Sequence, residues 1–150
     1  MDFLTPEHGL VALFALSFLA STVLPLGSEW LLVALLLKGY DPVVSVAVGT
    51  AGNTLGALTT YAVGIYGGAF LIKRILRVDD EAREKAQRFY KRYGSWTLFL
   101  SWVPFIGDSL CLVGGILRIN FWRFFLLVGG GKLFRYGVAT WVVLKVVEGR

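Results

Sequence analysis

Pro25-Leu26-Gly27-Ser28-Glu29 interrupts an apolar stretch running from about residue 9 to 39, and Pro104-Phe105-Ile106-Gly107-Asp108 interrupts a second one 79 positions later. Each break places a carboxylate four residues after a proline. An ionisable group at membrane depth costs roughly 2.5–3.5 kcal/mol on insertion scales and by default marks a pathway. Two such groups, each beside a helix breaker and repeated at one offset, point to a transporter-like site.

Composition supports a membrane setting. The chain has 150 residues, 56% of them hydrophobic and 17% charged, with a mean hydropathy of +0.67. Soluble domains typically hold about 45–50% apolar residues. Val43–Leu58 carries no charge, whereas Lys73–Arg92 carries much of the total. The sequence therefore reads as one integral membrane domain over 1–150. The net charge of +5 flanks apolar segments, where basic residues report topology and contact with anionic lipid, not nucleic acid. Leu10–Leu24 has the length of a signal peptide, but Asp2 and Glu7 precede it without a basic residue, so the segment is expected to stay in the mature protein.

Either arm of the first interrupted stretch is short for a span of about 20 residues. A kinked spanning helix is one reading. A re-entrant hairpin with its tip buried by protein is the other, and the one adopted. Tyr40-Asp41-Pro42 then reads as a loop and 43–72 as a long helix, in which Gly52-Asn53-Thr54-Leu55-Gly56 and Gly64-Ile65-Tyr66-Gly67-Gly68 fit close helix packing. Residues 73–94 read as an amphipathic helix at the membrane surface, with Ala82, Ala86, Phe89 and Tyr93 on one face, or else as a solvated helix. Glu81/Lys85 and Glu84/Arg88 form i,i+4 pairs along it. Residues 95–103 enter again, 109–117 return, and 121–147 form a last span.

The expected architecture is all-α: an inverted repeat, each half a re-entrant helical hairpin plus one long transmembrane helix, joined by the amphipathic helix. Repeat 1 covers 9–72, the linker helix 73–94 and repeat 2 95–147. At the offset of 79, Pro25 maps to Pro104, Glu29 to Asp108, Gly52 to Gly131, Asn53 to Lys132 and Gly56 to Arg135. A hairpin crosses zero net times and a span once, so the second half is turned over relative to the first, a recurrent transporter plan. Ten of the 15 basic residues lie on the side of the middle segment, which should be cytoplasmic. The first hairpin then opens outward and both termini face out.

Lys132 and Arg135 share a face of the last span. With Glu29 and Asp108 they make a neutral set of four. One reading is a fixed salt-bridge cluster that locks the hairpins. The other is a site whose cations bind an anionic headgroup while the carboxylates titrate or exchange partners. Asn53 adds a side chain with both donors and an acceptor, while the threonines at 50, 54, 59 and 60 are expected to bond mostly to their own helix. Trp30, Trp96, Trp102, Trp122 and Trp141 read as interfacial anchors.

Enzyme motifs fail. Gly129-Gly130-Gly131-Lys132 resembles a phosphate loop, but position 126 is Leu and position 133 is Leu. The lone His8 and lone Cys111 make neither a metal ligand set nor a disulfide, and no nucleophile–His pair is available. Cys111 reads as a small packing residue. No cofactor and no metal are expected.

Leu24-Pro25-Leu26-Gly27-Ser28-Glu29, Gly52-Asn53-Thr54-Leu55-Gly56, Tyr93-Gly94-Ser95-Trp96 and Ser101-Trp102-Val103-Pro104-Phe105-Ile106-Gly107-Asp108 together resemble the DedA/VTT superfamily, in its short YqaA-type branch. Gly114-Gly115 and Phe121-Trp122-Arg123 also fit. The resemblance covers nearly the whole chain. It implies a multi-pass bacterial (or archaeal) inner-membrane protein with two opposed re-entrant hairpins. It also implies translocation of polyprenyl phosphate or phospholipid, in some members coupled to protons or sodium, with Glu29 as the acid after the first hairpin proline. Longer members carry arginines around the second hairpin proline. Here those positions hold Ser101 and Gly107, which leaves Lys132 and Arg135 as the cations that could hold phosphate. The readings from different classes are a lipid transporter or scramblase and a non-transporting membrane scaffold. Membrane lipids are the expected partners, and the glycine faces leave room for a homodimer.

Overall fold

A computed structural model describes residues 6–22, 27–67, 80–103 and 106–149. Pro25, Pro104 and the first part of the linker (73–79) lie outside the described residues, as do the side chains of Ala82, Ala86 and Phe89. The described regular structure is helical throughout: α1 Pro6–Ala20, α2 Glu29–Leu37, α3 Pro42–Tyr66, α4 Asp80–Tyr93, a 3₁₀ helix η1 Gly94–Trp102, α5 Ile106–Ile116 and α6 Phe121–Glu148.

The local chemistry at the two helix-to-helix turns is the same, 79 residues apart. After α2, Gly39 adopts φ +87°, with Gly39 N donating to Leu36 O at 3.0 Å and Tyr40 N to Leu35 O at 3.1 Å. After α5, Arg118 adopts φ +51°, with Arg118 N donating to Gly115 O at 3.0 Å and Ile119 N to Gly114 O at 3.1 Å. Both are Schellman stops, in which a left-handed residue closes the last turn and satisfies the carbonyls left over. An N-cap follows each. Asp41 accepts from Val44 N at 2.9 Å, with Pro42 opening α3. Asn120 accepts from Trp122 N at 3.0 Å and Arg123 N at 3.4 Å to open α6.

The long helices α3 and α6 run antiparallel against one another. Gly49 faces the Tyr136 ring, Thr54 faces Gly129, and Tyr61 stacks on Phe124 with ring centroids 4.3 Å apart. The short helices pack around this pair in a crossed order. α1 lies on α3 and α2 reaches across to α6; η1 lies on α6 and α5 reaches across to α3. Glycine makes both same-half contacts close. A Cβ at Gly52 would stand 2.5 Å from Phe14 O of α1, and one at Gly131 would stand 2.6 Å from Phe99 O of η1. One core gathers Leu13, Leu32, Leu35 and Tyr136; the other gathers Ala57, Tyr61, Leu98, Leu110 and Phe124. Cys111 is fully buried in the second core, as a packing residue would be. α4 docks on α5 through Tyr90, whose hydroxyl donates to Leu110 O at 2.9 Å.

Two expectations need correcting. The arm expected as an α-helix at 95–103 is a nine-residue 3₁₀ helix, unusually long for a form that rarely exceeds 3–4 residues. Among the described residues, moreover, no helix is long and apolar enough to cross a membrane. The helix expected at 121–147 is present as α6, about 42 Å long at the standard rise, whereas the one expected at 43–72 is α3, about 37 Å long, which ends at Tyr66; Gly67 is extended and 68–72 lie outside the described residues. Their apolarity is diluted, by Gly, Thr and Asn53 in α3 and by Arg123, Lys132, Arg135 and Lys145 in α6.

Candidate functional site

α6 carries Lys132 and Arg135 three residues apart, so both side chains leave one face. Each meets one of the two acids. Arg135 Nη2 pairs with Glu29 Oε1 at the first residue of α2. Lys132 Nζ lies 4.0 Å from Asp108 Oδ1 in the first turn of α5. Both carboxylates sit at helix N-termini, where unpaired N–H groups favour negative charge. Burial is uneven across the four. The Lys132 side chain is 2% exposed and Arg135 22%, whereas Glu29 is 27% and Asp108 34% exposed. Lys132 therefore lies much deeper than the other three, which are similarly half-buried.

The two interrupted stretches touch here. Ser21 Oγ, just past the end of α1, donates to Asp108 Oδ1 of α5 at 3.5 Å. Arg135 also lies within electrostatic reach of Asp108. The charges thus form a continuous series from Glu29 through Arg135 and Lys132 to Asp108, ending on the Ser21 hydroxyl.

Asn53 is buried in α3, where it faces α1. Its Nδ2 donates to Ser17 O at 3.0 Å, and its Oδ1 has no hydrogen-bond partner among the described residues. Thr60 donates to Ser21 O at 3.1 Å and to Gly56 O at 3.3 Å. Thr59 donates to Leu55 O at 3.0 Å, so Thr59 bonds to its own helix as expected, whereas the shorter bond of Thr60 leaves it for Ser21. Thr50 and Thr54 do neither: their buried hydroxyls lack partners among the described residues. Of the residues expected at the hairpin breaks, Gly107 lies in the first turn of α5 and makes a close approach, since a Cβ there would strike the backbone carbonyl of Ser101. Gly27 is open apart from the Glu29 side chain itself, 2.5 Å from where a Cβ would stand.

Sequence reasoning passed over Tyr136. Its hydroxyl bonds with Ser28 Oγ at the foot of α2 and donates to Ser17 Oγ of α1 at 3.2 Å. Gly49 makes the room, because a Cβ there would stand 3.0 Å from the Tyr136 ring. Tyr136 therefore ties both arms of the first stretch to α6, one residue after Arg135. Ser17 and Ser21, four apart in the apolar run from Leu10, were the signal that a polar face lay there. Tyr136→Phe should lower stability by about 1–3 kcal/mol, because two buried serine hydroxyls lose their shared partner. Thermal unfolding in detergent measures this, and an unchanged melting temperature would remove Tyr136 from the account.

Residues 24–144 match the VTT domain family. The chain is 44% identical over 128 residues to the inner membrane protein YqaA of Escherichia coli (strain K12), covering 85% of each chain. It is 37% identical over 139 residues to an uncharacterized protein of Haemophilus influenzae, covering 86% of this chain and 83% of that one. It is 32% identical over 112 residues to the uncharacterized membrane protein YkoX of Bacillus subtilis, covering 71% of this chain and 48% of that one. No solved structure matches it significantly. A family match over most of the chain, with inner-membrane relatives that share its length, places the molecule: it belongs to the VTT domain (DedA) family, as a YqaA-type protein of the bacterial inner membrane.

Proposed function

We propose that the protein translocates an amphipathic anionic lipid, a polyprenyl phosphate or a phospholipid, across the bilayer, with Lys132 and Arg135 as the headgroup site and Glu29 and Asp108 as exchangeable counter-ions. The carrying observation is the pairing of two acids from separate helix starts with two cations on one face of α6, one of them fully buried. An incoming phosphate would compete with the carboxylates for the same donors. Charge is conserved if each displaced carboxylate takes up a proton or a sodium ion, which gives coupling a physical route. The chemistry is binding and release, with no bond made or broken, so the reading is non-enzymatic.

The proposal includes an inverted repeat of two re-entrant hairpins. It is supported by the matching Schellman stops and N-caps 79 residues apart, by the antiparallel α3 and α6, and by the crossed packing of the four short helices. It treats α3 and α6 as spans despite their modest hydropathy. Asn53, Thr54, Thr60 and Lys132 are buried, whereas Leu126, Leu133, Phe134, Trp141 and Val142 face outward. Lipid would meet the apolar side, and protein the polar one.

In proteoliposomes, wild-type protein is expected to move labelled anionic lipid between leaflets. Glu29→Ala and Asp108→Asn should bring that flux to background while both variants stay folded and monodisperse. Wild-type flux in both would reject the site. A second reading, a scaffold whose charges only lock the helices, is favoured by one observation: Arg135 and Tyr136 tie α2 and α1 to α6 through adjacent residues.

A further inference from the structure

A groove of about 630 Å³ runs along the outer side of the α3–α6 contact. Small residues make its walls: Ala47 and Ala51 from α3, Gly129 and Gly130 from α6. Its surface is almost wholly apolar, with two exceptions. Thr50 and Thr54 line it, and both hydroxyls are buried without a hydrogen-bond partner among the described residues. Thr54 is only 6% exposed. An apolar slot does not hold water well, and an unsatisfied buried hydroxyl calls for an acceptor.

The groove meets a second, more polar hollow at Leu126, which lines both. That hollow is lined by Ser95, Trp96 and Arg123. Trp96 is largely exposed, as a residue at the bilayer interface would be. Arg123 precedes Gly129, the residue facing Thr54, by six positions, or about 9 Å of helix rise. An apolar slot, a hydroxyl needing an acceptor and a cation thus follow one another along α6. That order matches the chain, ester carbonyl and phosphate of a glycerophospholipid.

We propose that the α3–α6 groove is a lateral site for one anionic glycerophospholipid, its acyl chain between the helices, its ester carbonyl at Thr54 and its phosphate at Arg123. The proposal deepens the lipid-handling reading and rests on that reading's placement of α3 and α6 in the bilayer. It uses none of the four charged residues of the central site. The bound lipid would be positioned beside the charged series without occupying it.

Native mass spectrometry of the full-length protein, titrated with phosphatidylglycerol, phosphatidylethanolamine or a polyprenyl phosphate, tests this. Wild-type protein should retain one phosphatidylglycerol in preference to phosphatidylethanolamine. Gly130→Leu fills the slot, and a Cβ there meets nothing nearer than the Phe99 ring at 3.9 Å; it should weaken phosphatidylglycerol at least about tenfold by excluding the chain. Thr54→Val keeps the shape and removes the hydroxyl, so it should weaken ester lipids by about fivefold and leave polyprenyl phosphate unchanged. Arg123→Gln should erase the preference for the anionic headgroup. Equal retention by wild type and all three variants would overturn the proposal. So would a Gly130→Leu protein that keeps its lipid but changes from dimer to monomer, since the groove would then be an interface between copies. Glu29→Ala separates the two readings: flux lost with the lipid still bound supports both, full flux with the lipid still bound rejects the central site alone, and lipid lost together with flux would overturn the groove as a separate site.

Discussion

Glu29→Gln and Arg135→Gln should each lower the unfolding free energy by about 3 kcal/mol, and the exchanged protein, Glu29→Arg with Arg135→Glu, should recover most of that loss while its lipid flux stays at background. Removing one partner of a buried pair leaves the other charged and unpaired, which costs about 3–5 kcal/mol. Each side chain here is about a quarter exposed, so the lower end applies. The exchange restores attraction across the same gap. It does so imperfectly, because an arginine at the first residue of α2 opposes the helix dipole by roughly 0.3–1 kcal/mol. A scaffold needs only the attraction and should work after the exchange. A headgroup site needs the cation on α6, beside Lys132, and the exchange removes it. Melting in detergent and flux in proteoliposomes, measured on the same three proteins, separate the two. Flux that recovers together with stability would reject the transport role of Arg135 and leave the scaffold.

The contrast between what was and was not legible runs through these same residues. Glu29, Asp108, Lys132 and Arg135 stood out in the sequence because charge inside apolar stretches is rare and must be compensated. That Lys132 and Arg135 share a face followed from helical spacing. Which acid takes which cation did not, because it depends on how α2 and α5 reach across to α6 and α3. The offset of 79 was legible in Glu29 and Asp108. It stayed hidden at the turns, where Gly39 and Arg118 share a left-handed backbone but no side-chain chemistry. Tyr136 was missed because a tyrosine in an apolar helix reads as packing, and only the arrival of Ser17 and Ser28 from elsewhere gives its hydroxyl a role. The 3₁₀ form of η1 was not legible either. Gly94-Ser95-Trp96-Thr97-Leu98-Phe99-Leu100-Ser101-Trp102 has no pattern that separates it from an α-helix. The contacts it makes with α6 and α5 are a matter of tertiary packing.

The crossing of α3 and α5 carries the second large effect. A Cβ at Gly64 would strike the carbonyl of Leu112 and stand 2.9 Å from Gly115 Cα and 3.0 Å from Ile116 N. A Cβ at Gly115 would strike the carbonyl of Tyr61 and stand 3.0 Å from Gly64 Cα. All of these obstacles are backbone, so no side chain can turn aside to make room. Gly64→Leu should therefore force the helices apart and cost about 3 kcal/mol or more, the upper part of the overpacking range. The damage should spread. Tyr61 donates to Ile119 O across the same crossing, and α5 is the helix that holds Asp108 opposite Lys132. Separation would stretch a pair already at 4.0 Å, so flux should fall with stability. Gly137→Ala is the matched control. Among the described residues nothing lies within 4 Å of a Cβ there, and alanine gains up to about 0.8–1.0 kcal/mol of helix propensity over glycine, so this protein should melt at or above the wild-type temperature. If Gly64→Leu melts with Gly137→Ala, the helices do not meet backbone to backbone at this point, and the position of Asp108 would need another cause.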